Sequence, residues 1–249
     1  MRYEELIAEG LTTPFEGWDF GVFQGRYAEK SDADLPWSYP ELVRALLPGA
    51  GALLDLGTGG GEVLASLAPL PARTAATEGF APNVPVARKR LEPLGIEVAE
   101  VGDDDQLPFA DASFDLVISR HESYDPAEIR RVLRPGGTFV TQQVGGGDLA
   151  EINAALGAPP HGYADWDLRS AADELTSAGF TVTWQDEARL PAAFHDVGAL
   201  VLFLRITPWH VPDFTVERYD APLRALHAAL SAGEPLPARC HRFALVARP

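Results

Sequence analysis

Leu53-Leu54-Asp55-Leu56-Gly57-Thr58-Gly59-Gly60-Gly61-Glu62 is the most informative stretch of the chain. A short apolar run enters a glycine-rich turn and leaves it as a helical pattern. The run predicts a strand covered on both faces. Glycine lets the backbone take positive φ and lets a ligand approach the main chain closely. The start of the following helix offers free N–H groups to a polar or anionic ligand. Glu78 ends the next apolar run, about 20 residues on, where an acid is placed to accept hydrogen bonds from a ribose. Strand, turn, helix, strand and acid together predict a nucleoside-binding unit.

The same alternation continues outward. Strands are expected at Ala52–Leu56, Thr74–Glu78, Glu97–Val101, Asp115–Ser119 and Thr138–Val144, with helices at Glu62–Leu67, Val84–Leu91, Ala127–Leu133 and Asp148–Leu156. Such alternation predicts an α/β protein with a parallel sheet. Pro135-Gly136-Gly137 reads as a turn before the fifth strand. Leu168–Ala178 reads as a helix stopped at Gly179. Phe180–Gln185 and Phe243–Val246 read as two more strands. The long segment between them carries Pro191, Pro208, Pro212 and Pro222 and two helix-like stretches, Val197–Arg205 and Thr215–Leu230. So long an excursion predicts a functional lid. The expected division is an N-terminal cap over 1–50, rich in aromatics, a nucleoside-binding domain over 51–188 and 238–249, and a lid or substrate insertion over 189–237.

Composition excludes several classes. The 249 residues fit one large domain, or a domain with a lid. Lys and Arg number 20 against 36 Asp and Glu, a net charge of −16, which argues against a polyanion-binding surface. The single cysteine, Cys240, excludes an internal disulfide and any cysteine-rich metal centre. No histidine pair has a zinc-ligand spacing, so no metal is expected. No apolar run approaches the ~18 residues of a membrane span, and Met1-Arg2-Tyr3-Glu4-Glu5 does not open a signal peptide. A cytoplasmic protein is expected.

The glycine spacing narrows the ligand. A dinucleotide fingerprint reads G-x-G-x-x-G; here Gly57, Gly59 and Gly61 alternate, Glu62 stands where the last glycine would be, and Asp55 precedes the first by two. This arrangement resembles the class I S-adenosylmethionine (SAM)-dependent methyltransferases, whose first motif is acid-x-Gly-x-Gly-x-Gly. Gly102-Asp103-Asp104-Asp105-Gln106-Leu107-Pro108-Phe109, Asp111-Ala112-Ser113-Phe114-Asp115-Leu116-Val117 and Glu128-Ile129-Arg130-Arg131-Val132-Leu133-Arg134-Pro135-Gly136-Gly137 resemble later segments of that family in its order. The likeness is nearest to the small-molecule branch that includes quinone-ring methyltransferases. It implies a Rossmann-like, seven-stranded, mostly parallel sheet with an antiparallel last strand, an N-terminal cap, and a helical insertion between the last two strands. It implies SAM as cofactor, with Asp55, Gly57, Thr58 and Gly59 facing its methionine portion. Glu78 would hold the ribose, Asp103 and Asp104 would meet adenine, and Ser119 would close the end of the fourth strand. A run of three aspartates is usually solvated, so a direct ligand role is expected of only one of them.

Ligands of open α/β sheets lie beyond the carboxyl ends of the strands, which places Arg120-His121-Glu122-Ser123-Tyr124-Asp125 at the active edge. His121 titrates near neutral pH and is a candidate base; Glu122 could orient it or replace it. The plain alternative is a solvated loop histidine, with Asp125 capping a helix at Pro126. Substrate contacts are expected among Trp18, Trp37, His161, His195 and Trp209, each of which also has an ordinary packing reading. An Asn/Asp-Pro-Pro-Tyr/Phe box, common in amino-group methyltransferases acting on bases or glutamine, does not follow the fourth strand. The expected function is methyl transfer to an O, N or C nucleophile of a small, partly apolar molecule. The alternatives are RNA-base methylation and a non-catalytic SAM-binding regulator.

Overall fold

The computed structural model of the chain describes residues 2–15, 20–102 and 106–249. Trp18, Asp103 and Asp104 lie outside the described residues. In chain order the elements are α1 (Tyr3–Thr12), β1 (Tyr27–Glu29), α2 (Tyr39–Arg44), β2 (Ala52–Leu56), α3 (Glu62–Ser66), β3 (Arg73–Glu78), α4 (Val84–Leu91), β4 (Glu97–Glu100), β5 (Phe114–Arg120), α5 (Pro126–Val132), β6 (Leu133–Val144), α6 (Ala150–Leu156), α7 (Leu168–Ser177), β7 (Thr181–Phe194), α8 (Val197–Ile206), α9 (Asp220–Ser231) and β8 (Leu236–Arg248). The strands follow the order β1-β7-β8-β6-β5-β2-β3-β4. Two compact units divide the chain, one of Met1–Leu35, Gly145–Asp167 and Ala188–Arg242, the other of Pro36–Val144, Leu168–Glu187 and Phe243–Pro249.

The second unit carries the glycine turn. Strands β2 and β3, β3 and β4, β2 and β5, and β5 and β6 pair in parallel. Every residue of β2 is buried, as the continuous apolar run demands. Leu53, Leu64, Leu91, Ile118 and Val140 share one core with Tyr39 of α2. From β2 the chain first builds outward through β3 and β4, then returns to lay β5 on β2's other side. The strand order therefore reverses at β2, and ligands of open α/β sheets bind where that reversal falls, beyond the carboxyl ends. Leu56 pairs with Ser119 at that edge, so the segments that follow β2 and β5 emerge side by side.

The first unit is built around α8, whose residues from Val197 to Leu204 are all buried. Asp196 caps this helix through Ala199 N–H at 2.9 Å and is held by a two-pronged contact from Arg26. Helix α1 packs on α8 at Gly10, where a side chain would run into the Gly198 carbonyl and Val201. Strand β1 pairs antiparallel with the end of β7, Tyr27 opposite Phe194.

Several expectations need correction. The sheet has eight strands, not seven, because Tyr27–Glu29 adds an edge. Pro135-Gly136-Gly137 is not a separate turn but lies within β6, where the pairing jumps from Phe114–Leu133 to Leu116–Thr138. Gly136 takes φ +80° there, so the extra residues loop out of the ladder as a bulge. Strands β7 and β8 are 14 and 13 residues long, well beyond Phe180–Gln185 and Phe243–Val246. Pro191 falls within β7, and its carbonyl accepts from Lys30 N–H at 3.3 Å, so only its missing N–H is lost to the ladder. Among the described residues no helix is long and apolar enough to cross a membrane.

Candidate functional site

The turn after β2 is held by the strand beside it. Gly57 N–H donates to Thr77 Oγ1 at 3.2 Å and Thr58 N–H to the Thr77 carbonyl at 2.8 Å. Gly59 N–H donates to Glu78 Oε2 at 2.6 Å, and Phe80 N–H to Glu78 Oε1 at 2.8 Å. Each carboxylate oxygen keeps a second lone pair. Glu78 thus braces the turn and can still accept from a ligand hydroxyl. Gly57, Gly59 and Gly61 have φ of +59°, +61° and +80°. Around Gly59 a Cβ would meet no described atom within 4 Å, so the main chain there is open to a ligand. At Gly57 it would overlap the side chain of Glu122, which lies against the turn.

This contrast gives a test. Gly59→Ala is expected to cost only the positive-φ strain, about 1–2 kcal/mol. Gly57→Ala adds the collision with Glu122, and urea unfolding should show a clearly larger loss. Equal losses would mean that Glu122 does not crowd Gly57.

Asp55, one residue before the end of β2, is almost completely buried, at 6 % exposure. Burial pushes its carboxyl up to about 7; the neighbouring Thr58 hydroxyl and Arg120 draw it down, and the Glu78 charge adds to the rise. Burial also raises Glu78, against its backbone donors from Phe80, Gly59 and Gly79. Tyr39 is buried, and its hydroxyl has no hydrogen-bond partner among the described residues. Burial first, then the Asp55 charge, raise its phenol well above the ordinary value, with Arg120 opposing. Two buried acids with the Arg120 guanidinium nearby leave the floor of the site acidic. That suits a cationic, hydroxyl-bearing ligand and does not suit a free anion.

The segment after β5 is equally fixed. Ser119 is wholly buried, and its hydroxyl donates to the Glu122 carbonyl at 3.3 Å. Gln143 Nε2 donates to the same carbonyl at 2.9 Å. His121 is exposed at φ +61°, its N–H donating to the Gln142 carbonyl at 2.8 Å. Asp125 caps α5 through Ala127 N–H at 2.8 Å, with Pro126 opening the helix. Trp37 is buried in the same unit, edge-on to Trp184 with ring centres 6.4 Å apart. The structure thus brings Asp55, Gly57, Thr58, Gly59, Glu78, Ser119, His121 and Glu122 to the carboxyl edge of β2, β3 and β5.

His161, His195 and Trp209 belong to the other unit. His161 Nδ1 accepts from Tyr163 N–H at 3.2 Å, and its ring lies 5.5 Å from that of His210. His195 and Trp209 are exposed. Sequence reasoning missed Tyr39, Thr77, Phe80 and Gln142. Phe80 is 60 % exposed two residues past Glu78, an exposure that only the structure shows. The others have no spacing that announces them.

A parallel sheet reversing at β2, a glycine turn of alternating positive φ and an acid ending the next strand are the features that the resemblance to class I SAM-dependent methyltransferases implies. The comparisons agree. Residues 54–141 match the family described as "Methyltransferase domain". A malonyl-[acyl-carrier protein] O-methyltransferase of Methylococcus capsulatus is 33 % identical over 178 residues, 66 % of this chain and 64 % of that protein. A ubiquinone/menaquinone biosynthesis C-methyltransferase of Desulfotalea psychrophila is 37 % identical over 135 residues, 49 % of this chain and 54 % of that protein. The chain therefore spans under two thirds of the length of these relatives. A solved structure from Bacillus halodurans, described as a candidate methyltransferase, superposes with a TM-score of 0.59 at 20 % identity, covering 84 % of this chain and 96 % of that one. It shows the shared fold. SAM is the cofactor of this class.

Proposed function

We propose that the protein transfers a methyl group from SAM to an oxygen, nitrogen or carbon nucleophile of a small, partly apolar molecule. The observation that carries this is the open backbone at Gly59, held in place by Glu78 on one side and flanked by the buried Asp55. The relatives favour oxygen or carbon acceptors, since the two curated proteins above are an O- and a C-methyltransferase. The net charge of −16 argues against RNA.

When bound, SAM supplies a sulfonium-activated methyl group, so the protein's part is chiefly to orient and to exclude water. Asp55 and the Gly57-Thr58-Gly59 turn face the methionine portion, Asp55 opposite its positive charge. Glu78 accepts from the ribose hydroxyls with its remaining lone pairs. Phe80 offers a ring face on the adenine side, with Asp103 or Asp104 as polar partner. Ser119 holds the β5 turn in shape. Of the pair after β5, Glu122 is the group able to take a proton. His161, His195 and Trp209, with Trp18, serve acceptor binding, and Trp37 serves it through Gln142. In this reading 1–50 caps the site, 51–188 with 238–249 holds the cofactor, 189–237 is the lid, the last strand is antiparallel, and the enzyme works in the cytoplasm.

The test is to incubate the purified protein with methyl-labelled SAM and a panel of phenols, quinols, carboxylic acids and amines. Label is expected in one chemical class, abolished by excess S-adenosylhomocysteine. No transfer to any class, with SAM bound, would favour the non-catalytic regulator.

A further inference from the structure

Trp37 donates its indole N–H to Oε1 of the fully buried Gln142 at 2.8 Å. An indole nitrogen only donates, so the amide oxygen must face it and the amide NH2 must point the other way. On that side Gln142 Nε2 lies 3.3 Å from Nε2 of His121. An amide nitrogen also only donates, so the ring nitrogen opposite has to accept. In a neutral imidazole the single proton then sits on Nδ1. The backbone fixes the same pair, because His121 N–H is bonded to the Gln142 carbonyl at 2.8 Å. One residue therefore holds His121 at both main chain and ring.

We propose that Trp37 and Gln142 are positioning residues that lock His121 as its Nδ1–H tautomer and keep its Nε2 from acting as a base. The proposal rests on the methyl-transfer reading and narrows it. Nδ1 already carries a proton, and the Nε2 lone pair is engaged by Gln142. Neither nitrogen takes a proton unless the Gln142 contact is given up.

The experiment is long-range proton–nitrogen correlation NMR on protein labelled with nitrogen-15 histidine and saturated with S-adenosylhomocysteine. His121→Asn identifies the His121 signals by their loss. The expected pattern is a protonated Nδ1 and an unprotonated Nε2. The opposite pattern, or a mixture, overturns the proposal. Gln142→Glu presents only acceptors to the ring and is expected to move the proton to Nε2. Trp37→Phe frees the amide to turn and is expected to give a mixture, with the remaining histidine signals unchanged. If both variants keep the wild-type pattern, the relay does not set the tautomer. The NMR result needs no turnover, so a failure of methyl transfer and a failure of the tautomer lock are read separately.

Discussion

Replacing Glu78 with alanine is expected to lower SAM affinity by about 10²–10⁴-fold, since two charge-assisted hydrogen bonds at ~1.5–3 kcal/mol each are lost. The variant also removes the acceptor of Gly59 N–H and Phe80 N–H, so the turn itself loosens. Glu78→Gln keeps the shape with a neutral, weaker acceptor and should fall between. The two effects separate in a binding titration run beside thermal unfolding. A variant with lowered stability but unchanged affinity would make Glu78 a brace only.

The second large effect has opposite signs in stability and binding. The Asp55 carboxyl is pushed up to about 7 in the folded chain, against a usual value of 3.8. Between those values the folded state holds a proton that the unfolded chain has released, so folding stability falls as pH rises through that window. Each pH unit between the two values costs about 1.4 kcal/mol, so the full cost is of the order of 4 kcal/mol above neutrality. Asp55→Asn removes it. The variant should match the wild type near pH 4 and be clearly more stable at pH 8 in urea unfolding. It should also bind SAM worse, having no charge to set against a cationic ligand. In the wild type near pH 7 SAM binding should release a proton, visible as a buffer-dependent heat, and in Asp55→Asn it should not. A stability difference independent of pH would contradict the assignment.

What the sequence made legible was local. The Asp55-to-Glu62 turn, the acid at Glu78 and the Asp125 cap depend on neighbours in the chain, and each stands where its residues pointed. The elements that escaped are those set by partners far away in sequence. Tyr27–Glu29 is too short to show a period and is a strand only because Phe194 and its neighbours offer it an edge. The alternation along β7 runs through Pro191, which by itself reads as a loop signal. The site follows the same division. Glu122 lies on Gly57 because parallel β2 and β5 end together. Trp37 meets Gln142, and Gln142 meets His121, across separations of 105 and 21 positions. Nothing in the spacing marks those contacts; they follow from packing.

The most direct measurement is isothermal calorimetry of the chain with SAM, S-adenosylhomocysteine and NAD in turn. The account predicts micromolar binding of both sulfur nucleosides, weakened for both by Glu78→Ala, and no binding of NAD. Binding of NAD in their place, or of none of the three to folded protein, would contradict it.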